Sequence, residues 1–250
     1  IIVKLCRRTS YLNYFLIIFL TLFLLFLLFL LSSPGKCISN YSAKGIPYCV
    51  KFHPDNDKQH SFLAGLNTKK ILQFDTRSHK VVQDYDSHLG AVNSISFIDN
   101  NRRFVSTSDD KTIRVWDWGI PVVIKYVADP SMHSVPTATL HPSGKWWLGQ
   151  SLDNQIVVYA AHDRFKMHKT KNFKGHNVAG YAPQIGCSPD GRFVSSSDSE
   201  GTVHFWDWKT CKMLKKMKCH NQIAIGCEWH PHETSKMITA SWDGTIKLWD

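Results

Sequence analysis

A period of about 43 residues constrains this chain more than any single motif. Phe74-Asp75, Trp116-Asp117, Tyr159-Ala160, Trp206-Asp207 and Trp249-Asp250 fall into register when the chain is slid along itself, their second members 42, 43, 47 and 43 residues apart. A repeat of this length is one supersecondary block that has to stack on its neighbours to bury its apolar face. Lys111-Thr-Ile-Arg-Val-Trp-Asp117, Gly201-Thr-Val-His-Phe-Trp-Asp207 and Gly244-Thr-Ile-Lys-Leu-Trp-Asp250 share a turn residue followed by alternating apolar positions, the period-2 pattern of a half-buried strand.

Two further alternating strands precede each of these, for example Arg103-Phe-Val-Ser-Thr107 and, before it, Ala91-Val-Asn-Ser-Ile-Ser-Phe97. A more polar fourth strand follows the corner, as in Lys80-Val-Val-Gln-Asp-Tyr85 or Val122-Val-Ile-Lys-Tyr-Val127. Prolines at His53-Pro54, His141-Pro142, Ser188-Pro189 and His230-Pro231 preset φ in the first turn of four units. The expected fold is therefore all-β, with five four-stranded units over residues 35–250.

These units resemble WD40 repeats, which implies a β-propeller fragment of about five blades. The resemblance also implies a buried tetrad in each blade: a His before the first strand, a Ser or Thr on the second, an Asp in the next turn and the Trp of the third. The pattern carries over at His88, Ser106, Asp110 and Trp116, and at His220, Thr239, Asp243 and Trp249. A third set, His176, Ser196 and Trp206, puts Glu200 at the Asp position. The unit with His133, Gly149, Asp153 and Tyr159 should be incomplete, and the first, with Thr68 and Phe74, should lack the network.

A Ser, a His and an Asp together also fit a hydrolase. A nucleophilic triad, however, needs an exposed Ser and an oxyanion hole, whereas this trio recurs at the repeat period with a Trp attached, which marks architecture. No Gly-x-Ser-x-Gly, phosphate-loop or His-Glu-x-x-His motif occurs. No catalytic residue, metal, cofactor or small-molecule substrate is expected. The seven cysteines, Cys6, Cys37, Cys49, Cys187, Cys211, Cys219 and Cys227, are odd in number and contain no Cys-x-x-Cys pair, which points to a reducing compartment.

The amino-terminal 34 residues stand apart. Phe15 to Leu31 are all Phe, Leu or Ile except Thr21, an apolar, helix-like segment at the short limit for spanning a bilayer. As a membrane anchor it would send the thiol-rich repeats to the far side. The same run reverse-translates to a polypyrimidine tract, and Pro34-Gly35 can be written as a splice acceptor. Residues 1–34 are accordingly read as translated intron or a mispredicted exon, with a membrane anchor as the alternative and a membrane partner not expected. Lys36 to Tyr41 reads as an outer strand, and two arrangements follow: a ring in which that strand latches the last blade, or an open arc.

The formal net charge of +10 is concentrated. Arg164, Lys166, Lys169, Lys171 and Lys174 against Asp163 give +4, and Lys209, Lys212, Lys215, Lys216 and Lys218 give +5, both stretches following a third-strand corner in neighbouring units. Lysines protect exposed sheet edges in general. Ten basic residues on two adjacent units also form a candidate surface for RNA phosphate or an acidic protein.

Five segments are more specific than the repeat demands: Ile46-Pro-Tyr-Cys-Val-Lys-Phe52, Tyr85-Asp-Ser-His-Leu-Gly-Ala-Val-Asn93, Asn101-Arg-Arg-Phe-Val-Ser-Thr-Ser-Asp-Asp-Lys111, Asp129-Pro-Ser-Met-His133 and Trp229-His-Pro-His-Glu-Thr-Ser-Lys236. They closely resemble the propeller of the pre-mRNA-processing factor seventeen family. That resemblance implies a nuclear, non-catalytic scaffold of the spliceosome that supports exon ligation, with spliceosomal proteins as partners. A generic WD40 adaptor would share the repeats but not these segments.

Overall fold

The structure, a computed structural model, describes residues 39–250. The apolar leader lies outside the described residues. Nineteen strands form five antiparallel meanders, each running from an inner to an outer strand. The first blade holds β1 (Pro47–Phe52), β2 (Ser61–Leu66), β3 (Lys70–Asp75) and β4 (Lys80–Asp86). The second holds β5 (Val92–Ile98), β6 (Arg103–Ser108), β7 (Ile113–Asp117) and β8 (Val123–Val127). The third has β9 (Thr137–Leu140), β10 (Trp146–Ser151), β11 (Gln155–Ala160) and β12 (Met167–Lys174), and the fourth β13 (Ile185–Cys187), β14 (Phe193–Ser197), β15 (Thr202–Asp207) and β16 (Met213–Lys218). The fifth has three strands, β17 (Ala224–Trp229), β18 (Met237–Ser241) and β19 (Ile246–Trp249).

The turn into every third strand uses the left-handed region, at Lys69 (φ 73°), Lys111 (φ 60°), Asn154 (φ 65°), Gly201 (φ 81°) and Gly244 (φ 79°). Three L-residues carry that strain, so glycine is not needed everywhere. At Gly201 it is, because a Cβ there would stand 2.3 Å from the Gln222 carbonyl oxygen and 2.5 Å from that of His220.

Each blade is polar at its turns and apolar on both faces, so the core lies between blades. Leu63, Ile71 and Tyr85 of the first pack against Ile95, Phe104 and Trp116 of the second. Ile98, Val105 and Val115 meet Trp147, Tyr159 and Phe165 of the third. Leu148, Ile156 and Phe173 meet Val194 and Trp206 of the fourth, and Val203 meets Cys227 and Met237 of the fifth. Trp116, Trp147 and Trp206 are fully buried. Each removes roughly 200 Å² from water, about 5 kcal/mol before ordering costs. Inner strands β1, β5, β9, β13 and β17 touch in that order, so the blades follow one another around a common axis.

As expected for the last unit, the fifth blade has three strands among the described residues, and residues 39–41 of the candidate latch strand do not pair with it; residues 36–38 lie outside the described residues. Residues 39–46 make no strand, and the Tyr41 ring instead lies edge-on to Phe62 and Phe74 of the first blade, with centroids 5.2 and 5.7 Å apart. Those rings, with Ala64 and Leu66, make an apolar cluster that Tyr41 and Ala43 cover. β19 leaves Ile246 and Leu248 exposed, at 55% and 66%.

Candidate functional site

In the second blade, β6 and β7 are paired so that Phe104 and Trp116 share a face, and the indole reaches across to Ser106. Trp116 Nε1 donates to Ser106 Oγ at 2.8 Å, and that hydroxyl lies 2.7 Å from His88 Nε2. His88 Nδ1 lies 2.9 Å from Asp110 Oδ2, which also accepts from the Leu89 N–H at 2.8 Å. A hydroxyl that accepts from Trp116 gives its own proton to His88 Nε2, so the imidazole is neutral and donates from Nδ1 to Asp110. Burial holds the His88 pKa below its usual value against the pull of Asp110. Burial would raise Asp110, but the Thr112 hydroxyl, the Leu89 N–H and His88 hold it down at about 2.

The fifth blade repeats the arrangement. Trp249 Nε1 donates to Thr239 Oγ1 at 2.9 Å, Thr239 Oγ1 lies 2.8 Å from His220 Nε2, and His220 Nδ1 lies 2.9 Å from Asp243 Oδ2. The Thr245 hydroxyl and N–H cap Asp243 and hold its carboxyl well below the usual range.

The fourth blade departs from expectation, because His176, Ser196, Glu200 and Trp206 do not form one network. Gln150, fully buried on β10 of the third blade, places its Oε1 3.0 Å from His176 Nε2 and accepts from Ser196 at 3.1 Å. Trp206 Nε1 turns instead to the Lys174 carbonyl, at 3.1 Å. The turn acid is Asp198 rather than Glu200: its Oδ1 accepts from the N–H groups of Glu200 and Thr202, and its Oδ2 lies 2.7 Å from His204 Nε2. An Asp two residues before Glu200 closes this turn with its shorter side chain, and His204 on β15 offers it a partner that the other tetrad blades lack.

The incomplete blades behave as their residues dictate. In the third, His133 is exposed, and a Cβ on Gly149 would lie 2.6 Å from Val135 Cγ1 and 3.2 Å from the Trp147 ring, so the indole takes the space of a second-strand side chain. In the first, Phe74 stacks on Phe62 at 5.0 Å.

Sequence reasoning missed the joints between blades. The His53 ring of the first blade meets Trp118 of the second edge-on at 4.5 Å. Asp99 Oδ1 of the second lies 2.8 Å from His162 Nδ1 of the third. His141 of the third stacks on Trp208 of the fourth at 4.1 Å, and the Lys171 ammonium lies 4.1 Å from the centroid of the same indole. Residues 118 and 208 directly follow a third-strand corner and 162 stands one position further from its own, while 53, 99 and 141 each follow a first strand, so the signal was present in the repeat alignment.

The ten basic residues separate. None makes a close ion pair with a carboxylate among the described residues. Arg164 and Lys166 flank Phe165, which packs toward the second blade. Lys174 stands opposite Gln155, on the face away from Phe173. Lys215 stands opposite Phe205, whose ring meets Trp229 of the fifth blade. Lys171 donates to the Trp208 carbonyl of the fourth blade, Lys216 stands opposite His204, Lys218 donates to the Glu200 carbonyl, and Lys169, Lys209 and Lys212 are exposed.

Nothing in this arrangement exposes a nucleophile, since Ser106 and Thr239 are fully buried between an indole and an imidazole. Among the described residues no cluster of His, Cys, Asp or Glu could hold a metal ion, and no helix is long and apolar enough to cross a membrane. Cys49, Cys187, Cys211, Cys219 and Cys227 are unpaired; burial pushes the Cys49 and Cys227 thiols up to about 12.

The family model for the WD domain, G-beta repeat, matches residues 79–117, 167–207 and 211–250, each ending at a Trp-Asp corner. This is a WD40-repeat protein. Its repeats are 59% identical over 216 residues to human "Pre-mRNA-processing factor 17", covering 86% of this chain and 37% of that protein. The Saccharomyces cerevisiae protein of the same name is 36% identical over 220 residues, covering 86% of this chain and 48% of that one. Mouse "WD repeat-containing protein 25" is 29% identical over 208 residues, covering 80% and 38%. The chain thus spans less than half the length of these relatives.

Proposed function

We propose that this chain is a non-catalytic scaffold of the spliceosome, acting in the nucleus through spliceosomal protein partners and supporting the second catalytic step, exon ligation. The identity of 59% to the human pre-mRNA-processing factor carries the reading, because it runs over 216 residues, 86% of this chain. The fold adds a physical reason: packed blades whose His-Ser/Thr-Trp-Asp networks are buried and mutually engaged hold surfaces in fixed relation. The test is recovery of RNA with the tagged chain, together with depletion from a splicing extract. Spliceosomal RNAs and lariat intermediates should co-purify, and depletion should leave lariat intermediate and free first exon to accumulate. Accumulation of unspliced precursor alone would place the chain before the first step and defeat the second-step assignment.

A further inference from the structure

Outer strands are the free edges of a propeller, and lysine on them is a common safeguard against edge pairing. That account predicts similar charge on each outer strand. It fails here: β4 carries Lys80 with Asp84 and Asp86, and β8 carries Lys125 alone, whereas β12 has Lys169, Lys171 and Lys174 and β16 has Lys215, Lys216 and Lys218. On β4 the acids are engaged, Asp84 and Asp86 both pairing with Lys70, at 3.4 and 2.7 Å. Charge is therefore built specifically into the third and fourth blades.

Register and contacts decide which of these cations face one another. Lys171 crosses from the third blade to the fourth, donating to the Trp208 carbonyl at 2.6 Å. It thereby stands over the turn that holds Lys209 and Lys212. On the opposite wall Lys216 pairs with His204, so it shares the face on which the His204 ring lies 5.9 Å from His176, beyond β12. Lys218, two residues on, takes the same face about 7 Å further along the strand. Lys169 is exposed in the irregular stretch of β12 before Lys171. Phe173, Trp206 and Met213 close the floor. Of the nearby acids, Asp198 is turned to His204 and Asp207 to the N–H and hydroxyl of Thr210 at 2.6 and 2.8 Å, while Glu200 is exposed and its carbonyl accepts from Lys218.

We infer that this seam binds the phosphate backbone of RNA without reading its bases, which extends the scaffold reading and rests on it for the source of the RNA. Six cations on the facing strands and turn of two adjacent blades match a uniform polyanion. Phe165 and Phe173, the aromatics within the basic stretches, are 5% and 0% exposed, so no stacking platform for bases is offered.

The test uses the purified full chain and a labelled RNA hairpin of arbitrary sequence, with anisotropy followed from 50 to 200 mM salt (about a fourfold range over which counterion release is steep). The seam variant Lys209→Gln/Lys212→Gln/Lys216→Gln leaves Lys171 and its contacts alone. It should weaken binding at least about tenfold and flatten the log–log salt slope by about 2.7, near 0.9 per lost contact. The charge-matched control Arg164→Gln/Lys166→Gln/Lys215→Gln should change the slope by less than about 1. Circular dichroism melts verify that both variants are folded. Equal losses in the two variants, no hairpin binding by the parent at the lowest salt, or polyglutamate of matched charge competing as well as RNA would each overturn the inference. Since no other spliceosomal component is present, a negative result here leaves the scaffold assignment standing, and loss of spliceosomal RNA recovery leaves hairpin binding intact.

Discussion

Replacing Ser106 with Ala in the second blade removes one oxygen and strands two buried groups. The Trp116 indole N–H loses its acceptor at 2.8 Å, and His88 Nε2 loses its donor at 2.7 Å. Trp116 is 0% exposed and His88 3%, so water cannot replace either contact without opening the blade. An unsatisfied buried polar group costs about 1–3 kcal/mol, which puts the substitution at about 2–5 kcal/mol. At about 2–4 °C per kcal/mol for a chain of this size, the melting midpoint should fall by about 10 °C. Urea and thermal melts followed by circular dichroism measure it, beside a double-mutant cycle with Trp116→Phe. The cycle is the sharper arm: once Ser106 is Ala, losing the indole N–H should cost at least about 1 kcal/mol less than in the parent. A Ser106→Ala cost below about 0.5 kcal/mol, or strict additivity with Trp116→Phe, would refute the claim that this hydroxyl ties ring to ring.

In the fourth blade, Asp198→Ala should destabilise by about 1–3 kcal/mol while Glu200→Ala stays within about 0.5 kcal/mol, measured by the same melts. Acid should loosen the fold early: burial, then the like charge of His204, holds His176 at about 4 against 6.5. Its contribution of up to ~3 kcal/mol is present above pH 6.5 and lost as pH falls from there toward 4, with Asp110 adding a further loss between about 4 and 2, to be followed by urea midpoints across pH. Gly149→Ala should cost about 1–3 kcal/mol through overpacking against Val135 and Trp147, again read by urea midpoint.

The strands were legible because period-2 patterns sit at a fixed 43-residue repeat, and the two tetrads ending at Trp116 and Trp249 because all four side chains stand at matching offsets. The fourth blade was misread for a physical reason. Gln150 belongs to another blade and reaches His176 and Ser196 only after the two have packed, and Asp198 competes for the turn in a way no offset reveals. Where Tyr41 packs was not legible, because the apolar cluster of Phe62 and Phe74 that captures it exists only in three dimensions. The basic stretches were visible as composition. Which lysines meet across the seam depended on register, and it removed Arg164, Lys166, Lys174 and Lys215 from the group.

The joints between blades differ in kind. One is an edge-on ring contact, the next a carboxylate against an imidazole, the third a stacked pair with an ammonium laid over it. Because the second and third blades each carry half of one joint and half of another, each fits only between its own two neighbours. The order of these blades is thus written into the chemistry of their borders as well as into the chain, and either of them moved to another position would find both of its flanks mismatched.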